Sequence, residues 1–319
     1  MRIAVVGAGA IGTWLGAALT RAGHEVALIA RGPHLEALRR DGVRVTGAEE
    51  YAVRPHATGD AAQVGEVDVV LLTVKAHDQP AAAPAVRALL GGETVVVAAQ
   101  NGIPWWYFHG RGGGRVEAVD PGGVVSAALP PERALGLVVY LGARLPRPGV
   151  VEVRPEAGLV IGEPDGSRSP RLVAVAGALE AAGFPVRVSD DIRTELWTKL
   201  MGNAAFNPIS VLTRAGLGTM ARDPAVRRVA AAIMAETVEV ARATGADPTI
   251  SIDERLAITE RLGDHKTSTL QDLEAGKRLE LDAIAAAVVE LADAAGVAAP
   301  TLRTVTALAD LLARRLDLR

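Results

Sequence analysis

Short apolar runs rich in β-branched residues punctuate the first 190 positions: Ile3–Val6, Val26–Ile29, Val67–Val74, Thr94–Ala98 and Arg115–Val119. Segments of helical length separate them. Strands alternating with helices predict right-handed βαβ units on a parallel sheet. Two more runs, Leu135–Leu141 and Val150–Arg154, flank Pro146-Arg147-Pro148-Gly149, and Leu159–Gly162 follows closely. Turn chemistry this tight predicts an antiparallel extension of the sheet edge. Beyond Asp190 the period changes. Val226, Val229, Ala230, Ile233, Met234, Val240 and Ala241 recur at helical spacing, as do Ile284, Val288, Leu291 and Ala295. The chain therefore reads as α/β, with a sheet domain over 1–189 and an all-helical domain over 190–319. Gly110–Gly114 and Glu163–Pro170 read as loops, and there is no internal repeat.

Composition narrows the class of function. With 319 residues, 49% apolar and 22% charged, the chain is long enough for two domains and too apolar for wholesale disorder. The net charge is 34 − 37 = −3, so the basic excess that nucleic-acid binding needs is missing. Zero cysteines exclude disulfides, thiolate metal sites and a cysteine nucleophile. Six scattered histidines offer no metal-ligand spacing, so no metal is expected. No apolar run reaches the ~18 residues that span a bilayer. Arg2 and the apolar stretch after it imitate a signal peptide, but they fit better as a first strand. A cytoplasmic enzyme without membrane or nucleic-acid partners is expected.

The candidate chemistry begins at Gly7-Ala8-Gly9-Ala10-Ile11-Gly12, directly after the first strand and opening a helix through Thr13–Arg21. In that context the glycine fingerprint marks a Rossmann-type dinucleotide-binding domain. Gly7 permits the tight turn, Gly9 lets a pyrophosphate approach the backbone, and Gly12 lets helix and strand pack closely. The second strand selects the dinucleotide. An NAD site would end it with a carboxylate on the ribose hydroxyls, but here it ends Ala30-Arg31-Gly32, and Glu25 stands at its start. A guanidinium grips a 2′-phosphate that a carboxylate would repel, so Arg31 predicts NADPH/NADP. Val74-Lys75-Ala76 and Gln100-Asn101-Gly102 end two further strands, where ligands of such folds lie. Lys75 and Asn101 can offer donors to the nicotinamide, its ribose or the substrate. By position alone, a solvated loop lysine and a turn asparagine are the alternative.

The strongest catalytic signal lies in the helical half, at Lys199, Asn203 and Asn207-Pro208. Spaced four apart, these polar residues share one helix face, while Leu196, Trp197, Leu200, Met201, Ala204, Ala205 and Phe206 cover the rest. Buried polar groups in a row need partners or a ligand. Burial lowers a lysine pKa toward neutrality and suits Lys199 to general-acid work, and two amides suit a substrate with hydroxyl and carbonyl oxygens. A snorkelling lysine beside structural asparagines is the alternative on spacing alone. Further on, Ser268-Thr269-Leu270-Gln271-Asp272 precedes Glu280. On one straight helix Ser268 and Glu280 would stand ~18 Å apart. Gly276 offers a break that brings them back together.

Taken together, the glycine fingerprint, Ala30-Arg31-Gly32, Val74-Lys75-Ala76, Gln100-Asn101-Gly102, Ile161-Gly162-Glu163, Lys199-x3-Asn203-x3-Asn207-Pro208, Ser268-x2-Gln271-Asp272 and Glu280 resemble the ketopantoate reductase (2-dehydropantoate 2-reductase) family over essentially the whole chain. The resemblance implies a dinucleotide domain joined to a helical domain, with substrate in the cleft between them. It implies NADPH-dependent reduction of the 2-oxo acid ketopantoate to pantoate, a step of pantothenate biosynthesis on the route to coenzyme A. Lys199 would protonate the carbonyl oxygen with assistance from Glu280. Asn203 and Asn207 would bind substrate oxygens and Ser268 the carboxylate, while Asn101 and Lys75 would sit beside the nicotinamide. A homodimer through the helical domain is expected.

Two features depart from the family pattern. Trp105-Trp106-Tyr107-Phe108 places four consecutive aromatics in a chain with 4 Trp, 3 Tyr and 3 Phe. They read either as packing or as the wall of a pocket for a bulkier or aromatic 2-oxo acid, which would make the protein a related 2-hydroxy acid dehydrogenase. Leu212–Met220 supplies no further asparagine after Asn207.

Overall fold

A computed structural model describes residues 1–112, 114–140, 142–155 and 158–319. Internal contacts divide the chain into two compact units. One comprises Met1–Gln100, Phe108–Gly114 and Gly123–Ile192, and the other Asn101–Tyr107, Arg115–Gly122 and Arg193–Arg319.

The first unit carries strands β1 (Arg2–Val6), β2 (Glu25–Ile29), β3 (Val43–Gly47), β4 (Tyr51–Val53), β5 (His56–Thr58), β6 (Val67–Leu72), β7 (Leu90–Ala98), β8 (Ala134–Val139), β9 (Ala143–Arg147), β10 (Val150–Val153), β11 (Leu159–Gly162) and β12 (Val186–Val188). Helices α1 (Ala10–Arg21), α2 (Gly32–Asp41), α3 (Gln79–Arg87), α4 (Val124–Ala128) and α5 (Pro170–Ala181) connect them. The eight-stranded sheet runs β12-β11-β8-β7-β6-β1-β2-β5. From β5 through β8 every pairing is parallel, with registers such as Val5 opposite Leu28 on one side and Leu71 on the other. Strand order reverses at β1, since the chain goes first to β2 and later returns to β6 on the far side. Ligands of doubly wound sheets bind beyond the carboxyl ends of the strands at such a point.

The antiparallel extension is divided between two sheets. β11 joins the main sheet antiparallel to β8, Ile161 opposite Leu137, as expected of Leu159–Gly162. The run Val150–Arg154 does not join this edge. Its strand, β10, pairs antiparallel with β9 and parallel with β3 in a separate four-stranded sheet ordered β4-β3-β10-β9. That second sheet explains α1, whose residues Gly12 to Leu19 are all buried. The helix packs on the main sheet with one side and on β3, β4, β9 and β10 with the other, so an apolar surface all round is what burial demands.

Other expectations need correction. Arg115–Val119 is not a strand: the Val119 and Asp120 amides turn back to the Val116 carbonyl, and the Glu117 and Ala118 amides donate to the Glu290 carboxylate at 2.6 and 2.8 Å. β6 stops at Leu72 rather than Val74, because Thr73 turns to donate its hydroxyl to the Gly7 carbonyl at 2.7 Å. Leu141, the last residue of the expected run 135–141, and Gly113 of the loop 110–114 lie outside the described residues.

Among the described residues the second unit contains no strand. It holds almost all of α6 (Ile192–Thr213), then α7 (Leu217–Arg222), α8 (Pro224–Ala243), α9 (Ile252–Arg261), α10 (Ser268–Glu274), α11 (Ala287–Ala295) and α12 (Pro300–Arg315). Local chemistry sets their ends. Asp223 caps α8 ahead of Pro224, Ser251 and Glu254 form a reciprocal capping box on α9, and Thr267 caps α10 through the Leu270 amide. Gly276, with φ +61°, follows the end of α10 and provides the expected break. The run through Ile284 opens as a π-helical turn, Asp282–Ala286, before α11.

Candidate active site

Candidate site residues occur in both units. In the first, the Gly7–Gly12 turn leaves the carboxyl end of β1. Gly7 has φ +105°, and a Cβ there would stand 2.6 Å from the Val74 backbone nitrogen, so both conformation and space require glycine. A Cβ on Gly12 would strike the Gly7 carbonyl and the Thr73 hydroxyl, which is the close helix–strand approach expected of that position. Gly9 differs: it is exposed, nothing lies within 4 Å of its would-be Cβ, and it is the residue before α1. Ala10 and Ile11 form the partly buried first turn of α1, and Ala8 is buried. The open backbone at Gly9 together with the unpaired amides of a 12-residue helix is a fit for a pyrophosphate.

Arg31 follows Ala30 beyond β2 and precedes α2. It is exposed, and its guanidinium has no hydrogen bond or ion pair among the described residues. Lys75 is partly buried after β6, and Gln100 follows the adjacent β7. A residue missed from the sequence stands here: Gln79, fully buried, donates its amide to the Gln100 side chain. Behind the turn, the Gly149 amide donates to His34 Nδ1 at 3.1 Å, while Nε2 meets the Thr13 hydroxyl at 3.2 Å. That hydroxyl donates on to the Ala8 carbonyl. Since Nδ1 accepts, Nε2 carries the ring proton, and burial holds the imidazole below its ordinary pKa.

In the second unit, α6 presents Lys199, Asn203 and Asn207 on one face, with Trp197, Leu200, Met201, Ala204, Ala205 and Phe206 buried around them. Lys199 Nζ donates to Asn101 Oδ1 at 2.7 Å. An ammonium can only donate, so the Asn101 amide is oriented with its oxygen toward the lysine and its NH2 away. The Lys199 pKa is lowered to about 8, first by removal of the ammonium from water. The Glu280 carboxylate opposes that fall, and the positive charge of Arg255 adds to it. Glu280 itself is buried, held between Leu279 and Leu281, which lie in a core with Val211, Leu270, Leu273, Ala309 and Ala313.

The Asn203 and Asn207 amides have no hydrogen-bond partner among the described residues, although Asn207 is only 4% exposed. Asn203 is only partly buried, and both side-chain amides are available to a ligand. Ser268 is exposed at the start of α10. Its neighbour Thr267 meets the Ser210 hydroxyl at 2.6 Å, which ties the start of α10 to α6 one turn beyond Asn207. Lys199, Asn101 and Glu280 are thus brought into one electrostatic cluster, and Ser268 is linked to its helix through Ser210–Thr267. Among the described residues no group of three His, Asp or Glu is placed to hold a metal.

Asn101 owes its position to the segment that follows it. Gly102 has φ +79°, and a Cβ there would strike the Ala283 carbonyl, to which the Ile103 amide donates at 2.8 Å. At the other end, the Tyr107 hydroxyl meets Thr244 at 2.8 Å and accepts from Trp197 Nε1 at 2.7 Å, while Arg193 donates to the Tyr107 carbonyl. Trp105, Trp106 and Tyr107 are buried, and the Arg193 guanidinium lies 5.8 Å from the Trp106 ring centre. Tyr107 anchors the far end of 101–107 through these bonds.

Residues 3–166 match the family model described as Ketopantoate reductase PanE/ApbA, and residues 191–313 match that of its C-terminal domain. A 2-dehydropantoate 2-reductase of Mesorhizobium japonicum is 41% identical, with 98% of each chain covered. The crystal structure of a Ralstonia solanacearum protein described as a ketopantoate reductase superposes with a TM-score of 0.95 at 39% identity, covering 100% of this chain and 99% of that one. A PanE/ApbA family ketopantoate reductase from Ralstonia eutropha gives 0.86 at 32% identity, covering 99% and 100%.

Proposed function

Because the chain belongs to the ketopantoate reductase PanE/ApbA family of oxidoreductases, we propose that it reduces 2-dehydropantoate to pantoate with NADPH, the step that serves pantothenate and coenzyme A synthesis. Residues 1–189 are assigned to the dinucleotide, with the pyrophosphate on the Gly7–Gly12 turn, the 2′-phosphate on Arg31, and Lys75 and Asn101 toward the nicotinamide. Residues 190–319 are assigned to substrate and self-association.

When bound, the reduced nicotinamide supplies the hydride that the keto carbon accepts. Lys199 supplies the proton. Its ammonium, held by Asn101, transfers one proton from Nζ to the carbonyl oxygen, so the product is a 2-hydroxy acid and the lysine is left neutral. A pKa near 8 keeps the acid charged at neutral pH yet makes the proton easier to give than from a solvated lysine. Glu280 keeps enough of the charged form populated. Asn203 and Asn207 hold substrate oxygens, and Ser268 contributes to the carboxylate end.

The observation that carries this reading is the partly buried Lys199 on Asn101 within the field of Glu280. The bulkier-substrate alternative rests on Trp105–Phe108, of which the first three are buried, as the packing reading of that run expects. The test is NADPH consumption with 2-dehydropantoate, phenylpyruvate and benzoylformate, using Lys199→Ala as control. A preference for 2-dehydropantoate that falls at least ~100-fold in the variant is expected. A preference for an aromatic acid would transfer the protein to the alternative. Among the described residues no helix is long and apolar enough to cross a membrane, and a cytoplasmic homodimer accompanies the proposal.

A further inference from the structure

The His34 imidazole is a partly buried titratable group that the proposed reduction does not use. The Gly149 amide, in the turn between β9 and β10, donates to its Nδ1. Nε2 therefore donates to the Thr13 hydroxyl, and that hydroxyl donates to the Ala8 carbonyl. Every proton in this chain of bonds has one place. Burial lowers the imidazole pKa and so favours the neutral ring that the chain of bonds needs.

Ala8 lies inside the Gly7–Gly12 turn and is tied on both sides. Its amide donates to the Ile29 carbonyl, at the end of β2, at 3.3 Å. Its carbonyl is reached from His34 through Thr13. Arg31 stands between these two ties, as the residue before α2, with His34 three positions later. The segment 29–34 is thus fastened to the glycine turn on either side of Arg31. Gly149 holds the ring from behind. It is buried, its carbonyl accepts from the Arg44 amide at 2.9 Å, and a Cβ there would stand 3.2 Å from Ala37 Cβ on α2. A dinucleotide with a 2′-phosphate carries two anionic groups whose separation its ribose limits. A site gains from both only when its own contacts are already held at that separation.

Resting on the proposed NADPH assignment, we propose that His34 is a positioning residue for cofactor selection: through Thr13 and Ala8 it sets Arg31 at the distance from the Gly7–Gly12 turn that a nucleotide 2′-phosphate requires. In this role the ring need not touch the dinucleotide. NADH lacks that phosphate, makes no use of Arg31 and is indifferent to its placement.

The test titrates NADPH and NADH fluorescence on the wild type, His34→Ala, His34→Gln and Thr13→Val, and on Arg31→Ala with and without His34→Ala. His34→Ala should weaken NADPH about 10-fold and NADH by less than about threefold. His34→Gln, whose amide can still donate to Thr13, should recover part of the loss. Thr13→Val removes the hydroxyl at nearly constant shape and should shift the preference in the same direction, which preserves the test if His34→Ala folds poorly. Arg31→Ala should itself lose the NADPH preference, and adding His34→Ala should leave the ratio of the two affinities unchanged. Equal losses on both cofactors, a preference that survives His34→Ala and Thr13→Val, or a further fall in the ratio on the Arg31→Ala background would overturn the assignment while leaving the NADPH reading intact. If Arg31→Ala keeps the wild-type preference, or the wild type binds both cofactors equally, the NADPH reading fails and this assignment with it.

Discussion

Lys199 behaves as no lysine in water does, because burial and two fixed charges act on one ammonium. The proposed reduction needs its protonated form, and its pKa is lowered to about 8. The rate of reduction should therefore be level below about pH 7 and fall toward tenfold per unit above about 8. In Glu280→Gln the charge that raises the pKa is lost, so the falling limb should move to lower pH. A pH profile of kcat/KM measures this directly, and a limb that stays in place would remove Glu280 from the site's electrostatics. Arg31 supports a second residue-level prediction. Arg31→Ala should raise KM for NADPH about 10- to 100-fold while KM for NADH changes little, since the lost interaction involves only the 2′-phosphate. Both residues were legible in the sequence, Arg31 from the missing carboxylate after β2 and Lys199 from a polar stripe on an apolar helix. Arg255 was not. Nothing in its local sequence shows that its positive charge acts on Lys199, on another helix.

At the scale of elements, regular patterns were readable and connections were not. β1, β2, β7 and β11 follow from compact apolar runs, and α6 follows from its periodicity. The run 115–119 looks like a strand because Val116 and Val119 are β-branched and buried, but their spacing of three belongs to a turn whose amides are satisfied by Glu290. The segment 101–107 is the element on which the candidate site depends most, pinned by Ala283 at one end and Tyr107 at the other. Gly102→Ala should therefore reduce kcat by displacing Asn101, and should cost about 1–3 kcal/mol of stability from strain at φ +79°. Trp106→Ala should cost about 3–5 kcal/mol and reduce activity on every 2-oxo acid without reordering them. Calorimetry with a substrate panel separates these outcomes, and a changed ranking would restore the run as a pocket wall.

For the whole molecule, the contact-defined units do not follow chain order. Asn101–Tyr107 and Arg115–Gly122 group with the helical unit although they lie among the strands in sequence. The proposed catalytic residues Lys199, Asn101 and Glu280 all lie within that unit. The same unit leaves Leu308 and Leu311 exposed one turn apart on α12 at 52% and 49%, a surface suited to the proposed self-association. Sedimentation should give about twice 33.0 kDa, and Leu311→Asp should shift the protein toward monomer; a single wild-type species at monomer mass would dispose of the dimer.

The sequence by itself determined what depends on near neighbours: the glycine turn, helix faces and caps, the absence of thiol chemistry, and the residue types available to bind a dinucleotide and move a proton. Those properties arise within three or four positions of the chain, where backbone geometry and side-chain spacing decide the outcome. Only the tertiary structure decided that β10 leaves the main sheet for a second one, that Asn101 belongs with Lys199, and that Glu280 and Arg255 act on the same ammonium in opposite directions. Strand partners and pKa values are set by contacts and charges close in space between residues far apart in sequence. No local pattern encodes them.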